Sequence, residues 1–316
     1  MGTLGTWLRD VGILACLCFG PLLMTDRHLR SRLAPSVAIV KSALLGGEPA
    51  VRGEPLAVVA GAGAGAAAAP AAPERYAVAF GWFFLEGVEP PRDTEAIAAM
   101  FCPAVLSLTL GVKQAEAAMA KRHRPATPID KVMVTNLKTM PLEVRKFMKS
   151  HGVRVMGVDD DLLSSKAREL FVGKQLANVL KLAALTHPDW GYAAIQLADW
   201  DLFMLSPTDL LTPAARQGKI FLRHGTMTPT NGGLVVLRPS RQLRDSLVHA
   251  LEHGFSHRDG WGGSYSERDL LLAKPYVEKF CKGKPKSDKA ASCCWSVPRS
   301  MWCFGAAPVD QGLLFH

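Results

Sequence analysis

Between Tyr76 and Leu237, apolar runs of strand length alternate with longer runs of helix length, and no other feature narrows the fold as much. Tyr76-Ala77-Val78-Ala79-Phe80 reads as a first strand. A helix around Phe101 to Ala120, a strand at Lys131 to Thr135, a helix from Pro141 to His151, a strand at Val153 to Val158 and a helix from Phe171 to Thr186 follow. A buried strand from Tyr192 to Leu197 comes next, then two more at Lys219 to Leu222 and Leu234 to Leu237. This βαβ rhythm predicts an α/β fold built on a single doubly wound, mostly parallel sheet. Open sheets of that kind bind ligands outside the carboxyl ends of their strands, so residues just after each apolar run become the first candidates for function.

The chain before Tyr76 has a different character. Val11 to Met24 is almost unbroken in its apolarity and is followed by Arg27, His28, Arg30 and Arg32. A membrane-crossing helix needs about 20 apolar residues, so this run predicts either a minimal signal anchor or the core of a signal peptide. The basic residues on its C-terminal side work against a simple type II orientation, because positive charge prefers the cytoplasmic face. Met1-Gly2-Thr3-Leu4-Gly5-Thr6 also fits a loose myristoylation pattern that is common by chance. Ala34 to Pro73 is rich in Ala, Gly and Pro without periodicity, the composition of a flexible stem. The expected organisation is therefore an anchor or signal segment with a basic flank (1–33), a stem (34–74) and one globular domain (75–316).

Charge and cysteines narrow the partners. With 37 Lys and Arg against 28 Asp and Glu, the formal charge is +9, which suits nucleic acid, an anionic membrane or a phosphorylated substrate. No basic run is interleaved with aromatics, so nucleic acid is not expected. Of the seven cysteines, Cys281, Cys293, Cys294 and Cys303 cluster late, with spacing unlike a zinc knuckle. They make two disulfides in an oxidising lumen, with three pairings open, or stay free thiols in a reducing compartment. The segment from Lys279 to Cys303 reads as an inserted basic loop pinned at the surface.

The main chemical candidate is Asp199-Trp200-Asp201, directly after Ala193-Ala194-Ile195-Gln196-Leu197. Two carboxylates at i and i+2 beyond a buried strand suit a hard divalent cation, Mn²⁺ or Mg²⁺, whose charge offsets that of a diphosphate. Taken alone the pattern is weak, because acids also end strands and cap helices. Phosphatases of the haloacid dehalogenase type share it, but carry Thr or Val where this chain has Phe203. Arg223-His224-Gly225 after Ile220-Phe221-Leu222 is similar to the strand end of histidine phosphatases, yet it lies late in the chain and is better explained as a turn.

The wider context is more specific. Leu180-Lys181-Leu182-Ala183-Ala184-Leu185-Thr186, the strand, Ala198-Asp199-Trp200-Asp201-Leu202-Phe203 and Ser206-Pro207-Thr208-Asp209-Leu210-Leu211 together resemble the core of glycosyltransferase family 8, the glycogenin-like nucleotide-diphospho-sugar transferases. Pro103 to Leu110 resembles that family's first helix, Thr230-Asn231-Gly232-Gly233-Leu234 its Asn-Ser-Gly strand, and Asp310-Gln311-Gly312-Leu313-Leu314 its Asp-Gln-Gly-Leu-Leu signature. The resemblance covers most of Tyr76 to His316. It implies a GT-A type fold and a retaining, metal-dependent transfer of a hexosyl group from a nucleotide-diphosphate sugar, UDP-sugar favoured, to a hydroxyl acceptor. Asp199 and Asp201 would hold Mn²⁺ or Mg²⁺, Lys181 would bind diphosphate or donor sugar, Asn231 and Gly233 would line the donor pocket, and Asp310 and Gln311 would sit at the reacting carbon. A lumenal catalytic domain on the Golgi or ER membrane is implied, with a cytoplasmic protein as the alternative.

Two departures qualify this. The family's His-x-x-Gly-x-x-Lys-Pro-Trp-type motif has no counterpart before His316, which implies a truncated chain or a catalytically weakened relative. Gly81-Trp82-Phe83-Phe84 stands where the nucleotide-binding Thr-Asn or Thr-Asp is expected. A lumenal binding or scaffold protein that keeps the fold without turnover is the competing expectation.

Overall fold

The computed structural model describes residues 57–59 and 74–315, apart from 85–90, 92, 123–126, 137, 139, 159–170, 172–173, 201, 257, 262–266, 296–300, 306 and 309. The apolar segment at 11–24, most of the stem and Asp201 thus lie outside the described residues.

The elements run β1 (Ala57–Val59), β2 (Tyr76–Gly81), α1 (Thr94–Lys121), β3 (Ile129–Thr135), α2 (Leu142–Ser150), β4 (Val153–Gly157), α3 (Lys174–Leu185), β5 (Ala194–Ala198), α4 (Leu211–Gln217), β6 (Ile220–Arg223), β7 (Asn231–Leu237), α5 (Arg241–His253), β8 (Phe255–Ser256), β9 (Gly260–Trp261), α6 (Glu267–Cys281) and α7 (Asp310–Phe315). Seven strands form one sheet in the order β1-β6-β7-β5-β2-β3-β4. β2 pairs in parallel with both β3 and β5, and β3 pairs in parallel with β4. β7 is antiparallel to β5 and to β6, so β6 points the same way as the parallel set. The mostly parallel α/β expectation holds, with antiparallel β7 inserted beside β5.

Side-chain alternation along each strand builds two cores, one on each face. In β2, Tyr76, Val78 and Phe80 turn to one face while Ala77 and Ala79 turn to the other. The small alanines sit in register with Ile195 and Leu197 of β5, so bulk on one strand fills the space left by the other. α1, α2 and α4 cover the first face, and α3, α5, α6 and α7 contribute to the second. At Gly111 of α1 an added Cβ would lie 2.9 Å from Val78 Cγ1, so the helix approaches the sheet closely there.

α1 is longer than the sequence pattern predicts. Asp93 caps it by accepting from the Ala96 amide at 2.7 Å, which moves the start to Thr94 and leaves Pro103 inside the helix. Among the described residues α1 alone is long and apolar enough to cross a membrane. Phe101, Val105, Leu108 and Met119 of this helix are buried against the sheet instead.

Ala57–Val59, inside the tract read as a stem, is an edge strand antiparallel to β6. For the late cysteines the structure selects one of the two open alternatives. They form two disulfides, Cys281–Cys294 and Cys293–Cys303, and all four side chains are buried. The segment from Lys279 to Cys303 does expose Lys282, Gly283, Lys286 and Lys289, as a pinned surface loop would, but its cystines are anchored in the second core beside Met301, Trp302 and Phe304. Each closed loop, with separations of 13 and 10 residues, removes enough unfolded-chain entropy to be worth about 3 kcal/mol.

Candidate functional site

The order of connections reverses between β2 and β5: β2 leads on to β3 on one side, whereas β5 lies on the other. The crevice beyond the carboxyl ends of these two strands is the topological switch point, where α/β sheets receive ligands. Gly81-Trp82-Phe83-Phe84 leaves β2 at this end, and Asp199 leaves β5 there.

Asp199 is held by its backbone. Its amide donates to the Gly233 carbonyl at 2.8 Å, and its carbonyl accepts from the Leu202 amide at 2.9 Å, closing a turn straight after the strand. The Ser107 hydroxyl of α1 donates to the Leu202 carbonyl and braces that turn from the helix. The Asp199 side chain remains 43% exposed.

Lys181 is the opposite case. It projects from α3, is only 6% exposed as a residue, and donates from Nζ to Asp199 Oδ1 at 3.1 Å and to the Gly232 carbonyl at 3.4 Å. A buried ammonium requires such partners, because desolvation without them costs several kcal/mol. Gly81 makes room for it: a Cβ at that position would lie 2.8 Å from Lys181 Cβ. The departure from the expected nucleotide-binding pair thus has a local cause, since the end of β2 must stay bare for the lysine stem to pass.

Gly233 plays the same part for the acid. A Cβ there would lie 3.1 Å from Asp199 Oδ2 and 2.8 Å from Asn231 Oδ1. Its missing side chain keeps the space beside Oδ2 clear. Asn231 Oδ1 accepts from the Gly233 amide at 2.7 Å, so Asn231 shapes the turn as well as lining the site. The Thr230 hydroxyl donates to the Gln311 carbonyl, which ties α7 to the start of β7. Lys181, Asp199, Asn231 and Gly233 are therefore brought together, with Gln311 joined to the residue before Asn231. Asp201 and the Asp310 side chain lie outside the described residues.

Two aromatic residues flank the crevice. Trp82 meets Trp200 edge to face at 6.3 Å and Phe101 at 5.1 Å. Trp200, between the two acids in sequence, keeps 40% of its surface exposed. Asn136, following β3, secures the β2 exit by accepting from the Phe84 amide and donating to its carbonyl, both at 2.8 Å. Sequence reasoning noted Gly81 and Trp82 only as a departure and did not single out Asn136, because their roles depend on neighbours in space.

Beside Asn231 opens a cavity of about 690 Å³, lined among others by Arg223, His224, Pro275, Tyr276 and Lys279. Arg223 and His224 leave β6 next to a bulge, and Gly225 closes the expected turn through its amide to the Thr228 carbonyl at 3.1 Å.

The groups with displaced pKa values lie at the far end of the strands. Tyr192, before β5, is pushed up to about 12 by burial and by its hydrogen bond to Asp130, and burial with help from Glu74 raises Tyr76 to about 12 as well. Burial, reinforced by Lys113, lowers Lys131 below the usual lysine value. Arg75 and Arg154 pair with the same Asp130, a structural network at the amino ends of β2, β3 and β5.

No family model matches this chain, and no curated protein matches it.

Proposed function

We propose that this chain is a metal-dependent, retaining glycosyltransferase with a GT-A type sheet, moving a hexosyl group from a nucleotide-diphosphate sugar, UDP-sugar favoured, to a hydroxyl acceptor on a glycan, protein or lipid. The observation that carries the reading is the Asp199 carboxylate at the switch point, bound by buried Lys181 on Oδ1 and left open on Oδ2 by Gly233. Antiparallel β7 beside β5, which supplies Gly233 at that place, supports the GT-A expectation.

The residues present fit a hard cation. Asp199 offers carboxylate oxygen beside a cradle that any Cβ at 233 would narrow, and oxygen donors suit Mn²⁺ or Mg²⁺. Asp201 is the second ligand in this proposal. The other close group of possible ligands among the described residues, Cys281, Cys294 and Cys303, offers sulfur already committed to disulfides. When bound, the cation supplies positive charge to offset the departing diphosphate.

Lys181 adds a second cation that is fixed before substrate arrives, so little reorganisation is needed as charge develops on the leaving oxygen. Asn231 and Gly233 orient the donor sugar, the Trp82 and Trp200 rings exclude water from one side, and Asp310 and Gln311 are assigned to the reacting carbon. A lumenal Golgi or ER setting is proposed with this activity, and the two disulfides favour it, because such bonds persist in oxidising compartments.

The Lys181–Asp199 ion pair also favours a second reading, a non-catalytic binding or scaffold protein, since the ammonium already neutralises one acid. Calorimetry of the full chain with UDP, in Mn²⁺ and in chelator, tests both. Metal-dependent binding that disappears in Asp199→Ala/Asp201→Ala supports a donor site, and release of UDP from UDP-sugar separates the enzyme from the scaffold. Folded protein that binds no UDP in either condition would sink the proposal.

A further inference from the structure

The cavity beside Asn231 is not accounted for by the donor reading. Its charge is one-sided. Arg223 comes from the end of β6 and Lys279 from the last turn of α6, and both face the cavity. Among the described residues no carboxylate lies within ion-pair distance of either, and no residue lining the cavity is acidic. Two cations from separate elements pointing into one space repel each other, and among the described residues no acid relieves this, which suits an anionic ligand.

The remaining lining adds direction. His224 Nδ1 and the Tyr276 hydroxyl are hydrogen-bonded at 2.5 Å, which fixes both rings at the wall. Pro275 and the body of Tyr276 give an apolar face of the kind that packs against a sugar ring. Asn231 Oδ1 is occupied by the Gly233 amide, and its amide nitrogen is left to donate. A volume of about 690 Å³ lies within the range of small-molecule sites and far exceeds a lone phosphate. The anion that fits is thus carried on a larger polar body.

We propose that this cavity is the acceptor subsite and that it takes an acceptor bearing an anionic group, a phosphate or a sugar carboxylate, held by Arg223 and Lys279. The inference rests on the transferase reading for the word acceptor; the anion site itself does not. Position supports it, because Asn231 lies on the wall of this cavity and also on the turn that holds Gly233 against Asp199. An acceptor seated here presents its hydroxyls towards the switch-point crevice. The chain's +9 charge agrees with an anionic partner.

The test is calorimetry of the full chain at fixed ionic strength with glucose 6-phosphate, glucuronate and uncharged glucose as probes, followed by UDP with Mn²⁺. Both acids should bind at least about 10-fold more tightly than glucose, and Arg223→Gln/Lys279→Gln should remove that preference. Arg258→Gln, on an exposed side chain elsewhere, should keep it, and Arg223→Lys should keep part of it. UDP affinity should be unchanged in the glutamine variant. Equal binding of acids and glucose to folded wild-type protein would overturn the proposal. A matching loss of UDP affinity in the glutamine variant would also overturn it, since the cavity would then hold the donor's diphosphate. Failure of UDP to bind while the acids still do would instead remove the transferase reading and leave the anion site.

Discussion

Replacing Asp199 with alanine would take away the carboxylate that pairs with the buried Lys181 ammonium, and the structure sets the size of the effect. The two partners are unequally placed: the lysine side chain is 7% exposed and the carboxylate 43%. Losing the acid removes the charged partner of a buried ammonium, while the Gly232 carbonyl at 3.4 Å still accepts from it. A charged hydrogen bond removed in this way costs about 2 kcal/mol, which for a domain of this size lowers the melting temperature by roughly 4–8 °C. Losing the lysine instead, as Lys181→Met, leaves Asp199 in contact with water and keeps the buried stem, so the cost stays below about 1 kcal/mol. The double variant no longer holds a buried ammonium that has lost its carboxylate and should recover to within about 1 kcal/mol of wild type. Urea unfolding of the four proteins in chelator measures the cycle. If Asp199→Ala matches wild type, or the double variant is no better than that single change, Lys181 does not depend on this carboxylate and its positioning role falls.

Two further outcomes test the fold around the site. Gly260→Ala should lower stability by more than about 3 kcal/mol, because φ is +68° there and the new Cβ would lie 1.9 Å from Trp302 Cε2 in a fully buried indole; a wild-type urea midpoint would contradict the packing described. For Tyr192, the folded pKa of about 12 lies above the unfolded value near 10, so its contribution is whole below pH 10 and declines as pH rises through about 12, by up to roughly 3 kcal/mol. Tyr192→Phe should therefore flatten the fall in urea midpoint between pH 9 and pH 11, and an unchanged slope would show that the hydroxyl is not buried as described.

Most of the sheet was legible in the sequence, and the reason is local. Strands such as Tyr76–Gly81 and Ala194–Ala198 are buried on both faces and read as continuous apolar runs whatever their partners. The same locality explains what was missed. α5 carries few apolar residues, and its clearest signal was Ser240, whose hydroxyl accepts from the Leu243 amide at 3.1 Å. The cysteine pairing depends on how α6 returns to Trp302, which no spacing rule states. Pro103 hid the first turns of α1, although Asp93 at the cap was there to be read.

At the candidate site, charged residues were easier to find than the glycines that make them usable. Asp199 was a candidate from its place after a buried strand and Lys181 from the resemblance, whereas Gly81 matters only because it lies against the Lys181 stem, a contact across 100 residues of chain. Arg223 and Lys279 show the same limit in another form. Each reads as an ordinary surface cation until β6 and α6 bring both to one cavity whose described lining holds no acid. Asn231 joins the two regions: its oxygen shapes the turn that keeps Gly233 beside Asp199, and its nitrogen faces the cationic cavity. A change at Asn231 should thus disturb nucleotide and acid binding together, whereas changes at Lys181 or Arg223 should disturb only one.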